Sequence, residues 1–142
     1  MSQPEMKVDS DGTKDWYLHG ELHREDGPAI ECANGRKCWY LNGKFHREGG
    51  PAIERPNGQK EWFLNGKLHR EDGPAIEWAD GSKWWYLNGK RHREDGPAIE
   101  NPNGTKWWYL NSKQVSWKEV FRNANSDLEK ECRILTYALT NG

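Results

Sequence analysis

A tryptophan recurs every 23 residues, at Trp16, Trp39, Trp62, Trp85 and Trp108, with no insertion between copies. A strict period in this range marks a repeat architecture, in which one unit buries its apolar face only by stacking on the next. Four complete units start at residues 16, 39, 62 and 85, and a partial fifth starts at 108. Half a unit precedes them, because Val8-Asp9-Ser10-Asp11-Gly12-Thr13-Lys14-Asp15 has the layout of Ile99 to Trp107 in shortened form. The chain is therefore expected to divide into an N-terminal tail (1–7), a repeat domain (8–113) and a C-terminal cap (114–142).

Within each unit the local signals alternate between turns and short strands. Asn42-Gly43, Asn65-Gly66 and Asn88-Gly89 suit a two-residue hairpin turn with positive φ at both central positions. A second turn follows at Ala33-Asn34-Gly35, Pro56-Asn57-Gly58, Ala79-Asp80-Gly81 and Pro102-Asn103-Gly104. Between them lie strand formers such as Lys83 to Leu87 and a longer arm, Lys67 to Trp78. In that arm Asp72-Gly73-Pro74 removes a ladder donor and permits a bulge. Each unit thus reads as one β-hairpin. The expected fold is mainly β: an elongated, single-layer antiparallel meander of roughly nine or ten strands.

Alternation sorts the side chains of each aromatic strand. The invariant column of Trp16, Trp39, Trp62, Trp85 and Trp108, with its leucines Leu18, Leu41, Leu64, Leu87 and Leu110, is expected as the buried stripe. The other face carries Tyr17, Tyr40, Phe63, Tyr86 and Tyr109 beside a variable position: Asp15, Cys38, Glu61, Trp84 and Trp107.

After Lys113 the pattern becomes helical. Ser116-Trp117-Lys118-Glu119 and Ser126-Asp127-Leu128-Glu129 are capping boxes. The first predicts a short helix to Arg122. The second opens a helix whose stripe of Leu128, Cys132, Leu135 and Leu139, with Ile134 and Ala138, is expected to dock on the sheet and cover its last edge.

Composition narrows the function classes. Apolar residues make up 34% and charged residues 30%, yet the net charge is −1 and there are nine Trp, five Tyr and three Phe. Apolar area concentrated in a few rings suits a thin sheet. The balanced charge disfavours nucleic acid as a partner, since a polyanion binder carries a basic stripe. No apolar run approaches bilayer length, so no membrane contact is expected. The N-terminus shows no signal-peptide core, and three cysteines without framework spacing fit a reducing, cytoplasmic location. Cys32 and Cys38 flank the Asn34-Gly35 turn, but a disulfide between them is not the expectation.

The segments Asn88-Gly89-Lys90-Arg91-His92 and Ala79-Asp80-Gly81-Ser82-Lys83-Trp84 resemble the membrane occupation and recognition nexus (MORN) repeat, over about residues 8–113. This chain has Trp-Tyr-Leu where that family has a Tyr-x-Gly start, and His-Arg-Glu-Asp-Gly-Pro in place of His-Gly-x-Gly. The variant is similar to small repeat proteins of bacteria, phages and large viruses. The resemblance implies 23-residue β-hairpin units and a scaffold for partner binding rather than an enzyme, and it fixes no ligand.

Two features invite a chemical reading. The His-Arg-Glu-Asp block occurs at residues 23–26, 69–72 and 92–95, and as His46-Arg47-Glu48-Gly49 in the second copy. Equivalent histidines sit two strands apart, roughly 9–10 Å at the usual strand spacing. That is too far to share an ion whose ligand bonds are near 2 Å. Repetition also argues against catalysis, which needs one constellation. The expected role is a ladder in which Arg and His bond carboxylates or turn carbonyls of the neighbouring hairpin. The second feature is aromatic: Trp78, Trp84, Tyr86, Trp107 and Tyr109 gather in the later units, and Arg91 replaces Leu22, Phe45 and Leu68. Trp, Tyr and Arg dominate interface hot spots; they also stack bases or pack beneath the terminal helices with Trp117 and Phe121.

The sequence thus points to a non-enzymatic repeat protein without cofactor or metal. It is expected to bind another protein through Trp78, Trp84, Tyr86, Arg91, Trp107 and Tyr109 and the C-terminal helices. The resemblance admits a phage- or mobile-element-encoded inhibitor of a host protein as one form of this. The alternative is sequestration of a nucleotide or signalling molecule in pockets between units or protomers, and homo-oligomers are compatible with either.

Overall fold

The structure, a computed structural model, describes residues 2–122, the backbone of 127–132 and 141, and residues 133–140 in full. It is mainly β: a meander-like antiparallel sheet with two helices at its C-terminal end. The first hairpin is β1 (Glu5–Val8) and β2 (Lys14–Leu18), with β3 (Glu21–Leu22) beside β2. Three units then repeat a four-strand pattern. The second unit, with the return arm before it, gives β4 (Ile30–Glu31), β5 (Lys37–Cys38), β6 (Tyr40–Leu41) and β7 (Lys44–Phe45). The next gives β8 (Ile53–Glu54), β9 (Lys60–Glu61), β10 (Phe63–Leu64) and β11 (Lys67–Leu68). The last gives β12 (Ile76–Glu77), β13 (Lys83–Trp84), β14 (Tyr86–Leu87) and β15 (Lys90–Arg91). The array closes with β16 (Ile99–Glu100), β17 (Lys106–Leu110) and β18 (Lys113–Val115), then α1 (Trp117–Arg122) and α2 (Asp127–Asn141).

The described residues form eighteen strands rather than nine or ten, and the reason lies at the tryptophans. The Trp39 amide donates to the Ala52 carbonyl of the return arm, whereas its own carbonyl accepts the His46 amide. The strand changes partner at this residue. Its first half joins a 12-stranded sheet, and its second half pairs only across its own turn, as β6 with β7, β10 with β11 and β14 with β15. Neighbouring hairpins are stitched directly, for example from the Arg24 amide to the Tyr40 carbonyl and from the Gly43 amide to the Leu22 carbonyl. Strand β1 begins the sheet inside the segment expected to be a tail, since Glu-Met-Lys-Val alternates charged and apolar residues as an edge strand does.

Both turn types follow from their residues. Asn42, Asn65 and Asn88 have φ near 50° and the following glycines 75–80°, as a two-residue hairpin turn requires. His19-Gly20 and Asn111-Ser112 adopt the same shape without the Asn-Gly signal. At the second turn only the glycine is left-handed: Gly35, at φ 95°, donates to the Cys32 carbonyl, and the Asn34 carboxamide accepts the Arg36 amide.

Residues opposite each other in an antiparallel pair share a face, so the register defines rows across the sheet. One row alternates in charge without a break: Lys14, Glu31, Lys37, Glu54, Lys60, Glu77, Lys83, Glu100 and Lys106. It lies on the face of the Trp column, here termed the regular face. Slipping one strand by a single residue would break this row and reverse both faces.

The Trp column is not the buried stripe. Trp16, Trp39, Trp62 and Trp85 are half-buried, and each is covered by the arginine of its own unit, with Arg24, Arg47, Arg70 and Arg93 lying 3.9–4.0 Å from the ring centres. The residues removed from solvent are the return-arm Ala29, Ala52, Ala75 and Ala98, with Cys38, Ile53, Ile76 and Ile99. Small residues win these places because the Ala carbonyl must reach the Trp amide, as from Ala75 to Trp62 at 2.7 Å. Only Trp108 of the column is buried, under Val120 and Phe121 of α1.

The cap is built as far as it is described. The Ser116 hydroxyl accepts the Glu119 amide and starts α1 at the first capping box. Ser126 of the second box lies outside the described residues, as do the side chains of residues 127–132, Leu128 and Cys132 among them. The α2 stripe is rotated from expectation: Ile134 and Tyr137 pack on the Trp108 cluster, while Leu135 and Leu139 are 62% and 86% exposed. The Tyr137 ring meets Trp108 edge-on at 5.1 Å and lies tilted against Trp117 at 5.4 Å, and these ring contacts set which side of α2 turns inward.

The Gly of each Asp-Gly-Pro stretch is a packing requirement. A Cβ on Gly73 would stand 2.8 Å from the Arg70 guanidinium carbon, and one on Gly96 would stand 2.6 Å from that of Arg93. The guanidinium moves aside only by leaving the groups that hold it. Gly73→Ala is therefore expected to cost about 1–3 kcal/mol of stability, as overpacking does; an unchanged urea midpoint would contradict this.

Candidate functional site

The His-Arg-Glu-Asp block is the structural ladder of the regular face, though its partners differ from those expected. Arg70 donates Nε to Asp72 at 3.0 Å and Nη1 to the Pro74 carbonyl at 3.1 Å and to Glu77 at 3.2 Å, all within its own unit. Arg24 and Arg93 repeat all three bonds. Histidine supplies the bond to the neighbouring hairpin, and it accepts from a turn amide rather than donating to a turn carbonyl. His23, His46, His69 and His92 each take through Nδ1 the amide of the following turn asparagine, at 2.9–3.0 Å. Among the described residues no group of three or more His, Cys, Asp or Glu is placed to hold a metal ion.

The opposite face varies from unit to unit. Its central row runs Asp15, Ile30, Cys38, Ile53, Glu61, Ile76, Trp84, Ile99 and Trp107. Strands β2 and β17 are continuous through five residues each, so Tyr17 shares a face with Asp15, and Tyr109 with Trp107. A second row therefore flanks the first. Tyr40 lies 4.3 Å from Phe45, and Phe45 lies 5.0 Å from Phe63. Tyr86 pairs with Arg91, whose guanidinium lies 4.6 Å from the Tyr109 ring centre.

All six expected binding residues are thus brought to one face, across the third and fourth units and the partial fifth. Trp78 meets Trp84 edge-on at 5.3 Å. Trp84 and Trp107 are separated by the strand of Ile99, about 9–10 Å at the usual strand spacing. Trp107 is 42% exposed, and Trp78, Trp84, Tyr86, Arg91 and Tyr109 are half-buried. The described residues of the helices pack instead on Trp108 of the regular face. Among the described residues, the aromatic rows and the helix contacts lie on opposite faces of the sheet.

Polar satisfaction separates the two faces further. The buried side-chain polar atoms without a hydrogen-bond partner, among the described residues, are Asp15 Oδ1, Arg36 Nε, Trp78 Nε1 and Trp84 Nε1. All four belong to the variable face, whereas Arg24, Arg70 and Arg93 on the regular face are bonded through both Nε and Nη1. The sequence did not signal this, because it depends on which turn each side chain meets. Cys32 and Cys38, which occupy in an earlier unit the places of Trp78 and Trp84, are free thiols, and burial pushes the Cys38 thiol up from its ordinary value. Burial also raises the Tyr86 phenol, against the pull of Arg91.

Neither the protein-family models nor the curated proteins compared with this chain give a match.

Burial, with the charges of Asp9 and Asp11, raises the Asp15 carboxyl above its ordinary value. A raised folded-state value favours the protonated form, so that stabilisation is complete below pH 3.8 and is lost as the pH rises through the folded value. At neutral pH ionised Asp15 is a cost. Asp15→Asn is expected to melt higher than the parent at neutral pH, with the difference closing as the pH falls toward 3.8; a pH-independent difference would contradict this.

Proposed function

We propose that this chain is a non-enzymatic binding module that recognises another protein through the variable face of its later units. The observation that supports this reading most is the collection of Trp78, Trp84, Tyr86, Arg91, Trp107 and Tyr109 on the face opposite the one on which the described helix residues pack. Large rings with one arginine supply contact area at little conformational cost, and such residues carry most of the energy of protein interfaces. Orphaned indole N–H groups on that face fit the same reading, since native chains concentrate such irregularities at functional sites. The MORN-like scaffold and an inhibitory role toward a host protein belong to this proposal. No helix among the described residues is long and apolar enough to cross a membrane.

A second reading draws on the regular face. Clefts of about 560, 550 and 590 Å³ recur between successive units, floored by Trp85 and Leu87, Trp62 and Leu64, or Trp39 and Leu41. Such volumes accommodate a nucleotide-sized ligand. Thermal shift against a nucleotide panel separates the two readings.

The direct test is affinity capture from the native host with mass spectrometry, comparing the parent with Trp84→Ala/Trp107→Ala. Loss of a partner that the parent enriches, with the fold intact by circular dichroism, is expected. Equal recovery by both chains would contradict the proposal.

A further inference from the structure

The second unit departs from the other three at one residue, and the departure leaves an arginine under-bonded. Arg24, Arg70 and Arg93 each donate Nε to the aspartate two residues on, at 3.1, 3.0 and 2.9 Å. Arg47 keeps its stack on Trp39 and its Nη1 bonds to the Pro51 carbonyl and to Glu54. Its aspartate is replaced by Gly49, so its Nε has no acceptor among the described residues. The Arg47 side chain is accordingly 32% exposed, against 20–22% for the other three. Gly49 has also turned to φ 79°, and a Cβ placed there would meet nothing within 4 Å.

We propose that Arg47 receives, from a bound ligand, the carboxylate that its three counterparts receive from their own chain. Charge supports this. The other units hold a carboxylate against an arginine in the same setting of neighbouring Glu and His, so the His46–Gly49 block carries one negative charge fewer than its three counterparts. The cleft of about 550 Å³ beside Arg47 adds the rest of the ligand's description. Its lining includes Gly49, Pro51, Trp62 and Leu64, together with the carboxylates Glu48, Glu71 and Asp72, which already face His46, His69 and Arg70 of the fold. The ligand is therefore an acid with an apolar body: carboxylate on Arg47 Nε, hydrocarbon or ring against Trp62 and Leu64. A free organic acid and an acidic side chain beside an apolar residue both meet this description. The inference stands on Arg47 and Gly49, independently of what the variable face binds.

Heteronuclear NMR of the arginine Nε–Hε groups of the full chain tests it, with the other three arginines as internal controls. The probes are acetate, phenylbutyrate, a blocked Asp-Leu dipeptide and chloride, at matched ionic strength. The Arg47 signal is expected to shift saturably with the carboxylates, while those of Arg24, Arg70 and Arg93 stay in place. Phenylbutyrate is expected to bind several-fold more tightly than acetate, and the tighter of phenylbutyrate and the dipeptide distinguishes a free acid from a peptide source. Gly49→Asp should abolish the Arg47 response by supplying the carboxylate internally. Equal shifts at all four arginines, none at Arg47, or the same shift with chloride would overturn the proposal, as would a folded Gly49→Asp chain that still responds. The titration of the parent decides the question even where that variant fails to fold.

Discussion

An arginine laid flat on a tryptophan holds each unit of this protein together. The guanidinium lies 3.9–4.0 Å from the ring centre, and its nitrogens reach a proline carbonyl and a glutamate on the return arm. The aromatic strand, the stretch before the proline and the return strand, already joined through the Trp amide and the Ala carbonyl, are fastened a second time at this point. A thin sheet has little core to spend on this, and the largest fully buried side chains among the described residues are Val120 and Cys38. The flat guanidinium suits the task because it stacks and donates in its plane at the same time. Histidine then joins unit to unit through the turn amide, and the alternating Lys–Glu row fixes register.

These fastenings occupy one face and free the other. On the regular face nearly every side chain is committed to a partner at the same place in each unit, so substitution there is paid for in stability. The variable face repeats no such fastening from unit to unit, although Glu61 accepts from Arg55 and Gln59, and its central position passes from Asp15 through Cys38 and Glu61 to Trp84 and Trp107. Arg47 is the exception that informs about the regular face: removing one carboxylate left a donor and an apolar-floored cleft side by side.

Much of this was legible in the chain. The period gave the number of units, Asn-Gly the tight turns, and Ser116 the start of α1. Alternation placed Trp84, Tyr86, Trp107 and Tyr109 together correctly. The Trp column misled because an invariant large ring suggests burial, whereas its cover is a charged group whose partners are set by the loop that follows. The Lys–Glu row could have been found by folding Glu31 onto Lys37 about the Asn34-Gly35 turn and repeating that pairing along the chain. The rotation of α2 was not accessible in that way. Leu135 and Leu139 match an apolar stripe as well as Ile134 and Tyr137 do, and only the ring cluster of Trp108, Trp117 and Phe121 selects between them.

The central claim is that the planar guanidinium, and not merely a positive charge, fastens each unit. Urea unfolding of Arg70→Lys tests it most directly, since lysine keeps the charge but loses the flat stack on Trp62 and the simultaneous bonds to Asp72, Pro74 and Glu77. The account predicts a fall of about 1–2 kcal/mol, the size of a partly shielded stack with its charge-assisted bonds. A midpoint equal to that of the parent would contradict it.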